Sequence, residues 1–217
     1  MNLKTYYDAF WQRTEKDEGG LNYSDHASQV KIKTVLAAIE KGKHVLDYGS
    51  GDGQHASLIQ KHCSADVVGV DISPRAVDMA RKRNPALSFH VIEDGKPLPF
   101  ERETFDVVFA GDVIEHLLDV DSLVREWSRV TKQGGLLIVT TPYHGFVKNV
   151  VIALTCFDQH FSPRGEHIRF FTVRTLTSCL EAAGFRVTDV KYRGRMYPFS
   201  SGMMVFARKE RDAATPN

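Results

Sequence analysis

The stretch Val45-Leu46-Asp47-Tyr48-Gly49-Ser50-Gly51-Asp52-Gly53 reads as a buried strand that breaks into a glycine-rich turn. Val67-Val68-Gly69-Val70-Asp71-Ile72 follows as a second strand ending in a carboxylate. Glycines at such a turn let the backbone bend sharply and approach a ligand closely, where a Cβ would clash. An acidic residue about 20 positions further on, at the tip of the next strand, is placed to accept hydrogen bonds from both hydroxyls of a ribose. Asp71 occupies that position, so the pair of strands is a nucleoside-binding signature.

Outward from this pair, strand-like apolar runs recur at residues 87–92, 105–110 and 136–140, each separated by a helical or turn-rich segment. Such alternation predicts an α/β fold with a doubly wound, mostly parallel sheet. A helix is expected over residues 53–62, and Ser73-Pro74 opens another over 76–83, with serine as cap and proline at the first helical position. Val113, Leu117, Val120, Leu123, Val124 and Trp127 keep helical spacing, which predicts one helix over 113–130 that stops before Gly134-Gly135. Residues 172–183 read as a helix ended by Gly184, and 185–192 and 203–207 as an antiparallel terminal hairpin that completes seven strands.

A chain of 217 residues, 42% hydrophobic, is the size of one domain with a full core. Lys+Arg at 28 against Asp+Glu at 27 gives no general attraction to nucleic acid or anionic membrane and leaves only a local basic patch open. Three cysteines, Cys63, Cys156 and Cys179, lack CxxC pairing, so neither a disulfide framework nor a zinc cluster is expected and a reducing, cytoplasmic setting is. The amino terminus has no apolar signal core, and the most apolar stretch, 147–156, is too short to span a bilayer. The tail 208–217 is polar enough to fray.

The dinucleotide fingerprint asks for a third glycine where this chain has Gln54, and Asp47 before the first glycine disfavours a pyrophosphate. S-adenosylmethionine, with ribose, ammonium and sulfonium groups and no phosphate, suits a carboxylate there. Over residues 43–141, and less sharply to 208, the motif order resembles the class I S-adenosylmethionine-dependent methyltransferases, whose fold is a Rossmann-like seven-stranded sheet. The resemblance implies that Asp47, Gly49, Ser50 and Gly51 serve the methionine and ribose portion. It places Asp71 on the ribose hydroxyls and Ile72 against adenine. Asp94, with Gly95 beside it, would accept from the adenine amino group, and Asp112 would complete the cofactor set.

Asp112, Glu115 and His116 fall at i, i+3 and i+4 and can share a face at a helix start. The segment resembles the Glu-x-x-Glu-His element of ubiquinone-pathway O-methyltransferases and of small-RNA 3′-end 2′-O-methyltransferases, which hold a divalent metal there. Asp112 stands in for the first glutamate with one methylene less reach. His167, ahead of Phe170-Phe171, matches the downstream histidine of both families. Three readings of the cluster stay open: a metal site of Asp112, Glu115, His116 and His167; His116 as general base; and acidic residues capping a helix beside a structural histidine.

Tyr143 and His144 leave the fifth strand where an acceptor would meet the methyl donor, and are further catalytic candidates. His160, Arg164 and Arg169 are candidates for a polar acceptor pocket. Residues 1–40, with the aromatics Tyr6, Tyr7, Phe10 and Trp11, are expected to form a helical lid, 142–171 a substrate-side insert, and 172–208 the closing helix and hairpin. Tyr6, Tyr7 and Trp11 are placed to attract a sulfonium by cation–π contact. The expected activity is methyl transfer to an oxygen or nitrogen of a small metabolite. Alternatives are a metal-assisted RNA 2′-O-methyltransferase, which the lack of a Lys/Arg cluster disfavours, and a non-catalytic partner protein of the same fold. A nicotinamide oxidoreductase is disfavoured by Asp47 and Gln54.

Overall fold

The structure, a computed structural model, describes residues 3–18, 26–162 and 167–212. Its sheet contains β1 (His44–Tyr48), β2 (Asp66–Asp71), β3 (Ser88–Val91), β4 (Phe105–Gly111), β5 (Thr131–Pro142), β6 (Phe185–Arg193) and β7 (Gly202–Lys209). Their order is β3-β2-β1-β4-β5-β7-β6. The first five strands run parallel, and β7 is antiparallel to both β5 and β6. The chain order therefore reverses direction at β1, and the crevice between β1 and β4 is where open α/β sheets bind ligands.

Both sheet faces are covered. On one, Val35, Ile59 and Val77 from α2 (His26–Ala38), α3 (Gln54–Cys63) and α4 (Pro74–Arg83), with Ile39 just beyond α2, pack on Val45, Val67, Val107 and Ile138. On the other, Val124, Trp127, Leu176 and Leu180 from α5 (Val120–Val130) and α8 (Val173–Ala182) pack on Leu46, Val108 and Leu137. The remaining helices are α1 (Leu3–Glu18), α6 (Phe146–Thr155) and the short α7 (Phe157–His160).

Local chemistry sets the helix starts. The Ser73 hydroxyl accepts from the Ala76 amide at 3.2 Å with Pro74 at the first helical position, and Thr172 and Thr175 cap each other's amides at the start of α8. The helix expected over 113–130 is instead two pieces: a single 3-10 turn, Ile114–His116, then α5. Leu117 between them is extended, and Asp119 recaps the chain by accepting from the Ser122 amide at 2.9 Å. The break follows from competition for carbonyls. Ile168 and Arg169 donate their amides to the Glu115 carbonyl, and the Arg169 guanidinium takes those of Leu117 and Leu118, so three carbonyls that a continuous helix would use are engaged from outside it. β5 also starts earlier than expected and runs through Gly134-Gly135. The polar tail starts later: Arg208 and Lys209 complete β7, and the Lys209 ammonium is buried against the Thr131 carbonyl at 3.0 Å.

Candidate active site

A cavity of about 280 Å³ opens at the carboxyl ends of β1, β2 and β4, roofed by α1 and α2. Gly49, Ser50, Gly51, Asp71, Ile72, Asp94 and Asp112 all line it, and so does His116. The glycine turn is pinned from below, because the Gly49 and Ser50 amides both donate to the Val70 carbonyl, at 2.8 and 2.9 Å. Gly51 has φ +52, and a Cβ there would sit 2.6 Å from the Trp11 ring. Both the backbone conformation and the close approach of α1 therefore require glycine.

Asp71 anchors this end. Its two oxygens accept from the Gly51 and Ser73 amides, each at 2.9 Å. Burial nevertheless pushes its pKa up to about 6, against the pull of those amides. The roof is tied to the same place, since the Ser73 hydroxyl also donates to the Asp8 carboxylate of α1. Tyr7, Phe10 and Trp11 face the cavity from α1, and the Tyr7 ring meets His116 edge-on at 6.0 Å. Tyr6 packs on Tyr7 and is not part of the lining.

Asp112 differs from its expected place in the ligand cluster. It has φ +56, outside the 3-10 turn, and its carboxylate is held by Lys31 of α2 at 3.0 Å and Arg193 of β6 at 2.9 Å. Burial opposes its ionisation, but those two cations and the Thr140 hydroxyl hold its pKa well below the usual carboxylate range. Glu115, His116 and His167 do converge, with one ligand atom from each within 4.8 Å of the others. Glu115 is fully buried; Oε2 accepts from the Thr141 hydroxyl at 3.1 Å, while Oε1 has no hydrogen-bond partner among the described residues. Burial, then repulsion by Asp112, pushes its pKa up.

Several expected site residues lie elsewhere. Asp47 is buried beneath the cavity rather than in its wall. Alternation along β1 directs the next residue, Tyr48, to the lining instead. Burial and the neighbouring Asp71 push Asp47 up to about 7. Gly95 lies in an adjoining cavity of about 190 Å³ that shares Tyr48, Asp94 and Leu117 with the main one. Tyr143 and His144 are buried and line neither cavity. Tyr143 packs on Tyr192 at 5.1 Å, and His144 faces Asn149 at 3.2 Å and Phe170 at 4.9 Å. Burial pushes His144 down to about 4. His160 is exposed against His144, Arg169 is engaged with the Leu117 and Leu118 carbonyls, and Arg164 lies outside the described residues.

Lys31, His55 and Arg193 were not singled out by the sequence. Lys31 and His55 line the cavity, and Arg193 reaches it through Asp112. Lys31 sits in a helix whose local pattern gives no hint of a buried cation, and Arg193 is exposed by no motif.

Residues 46–139 match the family described as a methyltransferase domain. A ubiquinone biosynthesis O-methyltransferase of Coxiella burnetii is 28% identical over 170 residues, covering 74% of this chain and 71% of that protein. A probable S-adenosylmethionine-dependent methyltransferase of Mycolicibacterium smegmatis is 35% identical over 150 residues, covering 68% of this chain and 54% of its own. Among solved structures, an S-adenosylmethionine-dependent methyltransferase from Mesorhizobium loti superposes with a TM-score of 0.68 over 86% of this chain and all of its own, at 18% identity. Strand order, the glycine turn at the cavity and these relatives agree: the chain belongs to the class I S-adenosylmethionine-dependent methyltransferases.

Proposed function

We propose that this enzyme transfers the methyl group of S-adenosylmethionine to an oxygen or nitrogen of a small metabolite, with the donor in the 280 Å³ cavity. One observation carries the reading. Gly49, Ser50, Gly51, Asp71, Ile72, Asp94 and Asp112, seven of the nine cofactor residues expected from the sequence, line a single cavity together with His116. Asp71 would take the ribose hydroxyls, Ile72 and Asp94 the adenine, and Gly49 to Gly51 the methionine end. Residues 1–40 act as the lid and 142–171 as the acceptor side of one methyltransferase domain. The Coxiella relative supports an oxygen acceptor.

Calorimetric titration with S-adenosylhomocysteine tests the donor site. Because burial holds Asp71 at about 6, and ribose hydroxyls donate better to the carboxylate than to the acid, donor binding should lower that pKa. Affinity is therefore expected to be constant above about 6 and to fall as the pH drops below it. A flat profile across that range would remove Asp71 from the donor contact.

In methyl transfer the acceptor lone pair attacks the methyl carbon as the C–S bond breaks. The bonding electrons go to sulfur, and the cationic donor becomes neutral. The Tyr7 and Trp11 rings beside the cavity favour the sulfonium before transfer, and alignment lowers the barrier further. His116 would take the acceptor proton. Replacing it with Asn is expected to cut turnover by about 100- to 10,000-fold, the range for a positioned base, while donor affinity stays within about threefold.

Glu115, His116 and His167 also fit a divalent cation, and the buried Oε1 of Glu115, without a hydrogen-bond partner among the described residues, favours that second reading. Carboxylate and imidazole ligands suit Mn²⁺, Fe²⁺ or Zn²⁺ and accept Mg²⁺. Such an ion would polarise an acceptor hydroxyl and ease its ionisation. Loss of activity on chelation, restored by Mn²⁺, would favour the cation; activity indifferent to chelation would leave His116 as the base alone.

A further inference from the structure

We propose that α6, with the loop between β6 and β7, docks this protein onto an anionic lipid surface. The argument begins with an inverted helix. At 100° per residue, Phe146, Val147, Val150, Val151 and Leu154 fall within an arc of about 140°. That apolar stripe faces outward. Phe146 is 83% exposed and Leu154 81%, and the three valines are each more than two-fifths exposed. The polar side faces the protein instead: the Lys148 ammonium donates to the Tyr143 carbonyl at 2.6 Å and Asn149 pairs with His144. A surface helix of a water-soluble domain shows the opposite arrangement.

The apolar surface continues beyond α6. Phe157 follows it, 54% exposed, and Met196 and Tyr197 in the β6–β7 loop are 86% and 59% exposed. The Tyr197 ring lies 6.3 Å from that of Tyr143, whose carbonyl holds Lys148, so loop and helix meet at Tyr143. An apolar run of this length is too short to span a bilayer. It belongs either in a core or at an interface, and its exposure excludes the core. No helix among the described residues is long and apolar enough to cross a membrane.

Charge selects the occupant. Neither α6 nor residues 194–201 contain an acid, and Arg195, next to Met196 and Tyr197, is exposed, whereas Lys148 is turned inward to the Tyr143 carbonyl. Aromatic and aliphatic side chains on one side, with the exposed Arg195 cation at their margin, match a helix lying in the plane of a lipid interface. The chain carries a net charge of only +1, so attraction has to come from this face and not from the whole molecule.

The test is flotation of the full chain with vesicles of equimolar phosphatidylglycerol and phosphatidylcholine, and separately with phosphatidylcholine alone. The protein is expected to float with the anionic vesicles and more weakly with the neutral ones. Phe146→Ser combined with Leu154→Ser should reduce that partition by at least about tenfold. Both side chains are exposed, so its thermal unfolding should match the parent. Arg195→Gln should weaken only the anionic arm. Absence of the parent protein from floated vesicles, or equal flotation of the double variant, overturns the proposal. A dimer seen by sedimentation velocity that is lost in the double variant, with no vesicle binding, also overturns it and assigns the face to a second copy of the chain.

Discussion

Replacement of Asp71 by Ala is expected to weaken S-adenosylhomocysteine binding by about 100- to 10,000-fold while leaving the fold in place. Two hydrogen bonds to a charged acceptor contribute about 1.5–3 kcal/mol each, and each 1.4 kcal/mol is about tenfold in affinity. The fold survives because two effects on stability oppose each other. Removing the carboxylate leaves the buried Gly51 and Ser73 amides without their acceptor, at a cost of about 1–3 kcal/mol each. It also removes a group whose pKa rises from 3.8 to about 6 on burial, a shift equivalent to about 3 kcal/mol against the folded state at neutral pH. The sign follows from linkage: as pH rises from 3.8 to about 6, the unfolded chain ionises first and stability falls, then levels. Asp71→Asn keeps the volume and one acceptor, so its affinity should lie between the other two. Calorimetry with circular dichroism separates binding from folding. An alanine variant that is folded and binds within about threefold of the parent would place the donor elsewhere.

What the sequence disclosed about this site is what is local in the chain. The glycine turn, Asp71 and the Ser73-Pro74 cap are each decided within a few residues of one another; the structure forms the cap and puts the turn and Asp71 in the cavity wall. Period-two alternation along β1 turns Asp47 away from the cavity and Tyr48 into it, against the order that the loop motif alone implies. The break at Leu117 was hidden because apolar spacing continues across it. Its cause is the claim on the Glu115, Leu117 and Leu118 carbonyls by residues about fifty positions away. The α6 periodicity reveals an apolar face but not the direction in which it points, since only tertiary contacts decide that.

Asp112→Ala is expected to cost about 3–5 kcal/mol of folding stability, because it removes the carboxylate that two mostly buried cations share. Lys31 comes from α2 and Arg193 from β6, each 81 residues away in sequence, and their side chains are 5% and 16% exposed. They meet on one carboxylate, so the roof and the final hairpin are joined at the cavity wall. Asp112 itself is 29% exposed, enough to moderate the loss but not to reduce it to that of a surface pair at about 0–1 kcal/mol. Its positive φ adds to the cost for alanine, whereas Asn tolerates that conformation and retains an acceptor. Asp112→Asn is therefore expected to lose less. The depressed pKa fixes the pH window: the stabilisation is present above the unfolded value near 3.8 and is lost as pH falls toward the lower folded value. Denaturant unfolding of parent and variants should thus differ by several kcal/mol near neutral pH and converge in strong acid. A neutral-pH difference below about 1 kcal/mol would mean that solvent screens these charges, and that packing of α1 and α2 alone holds the roof in place.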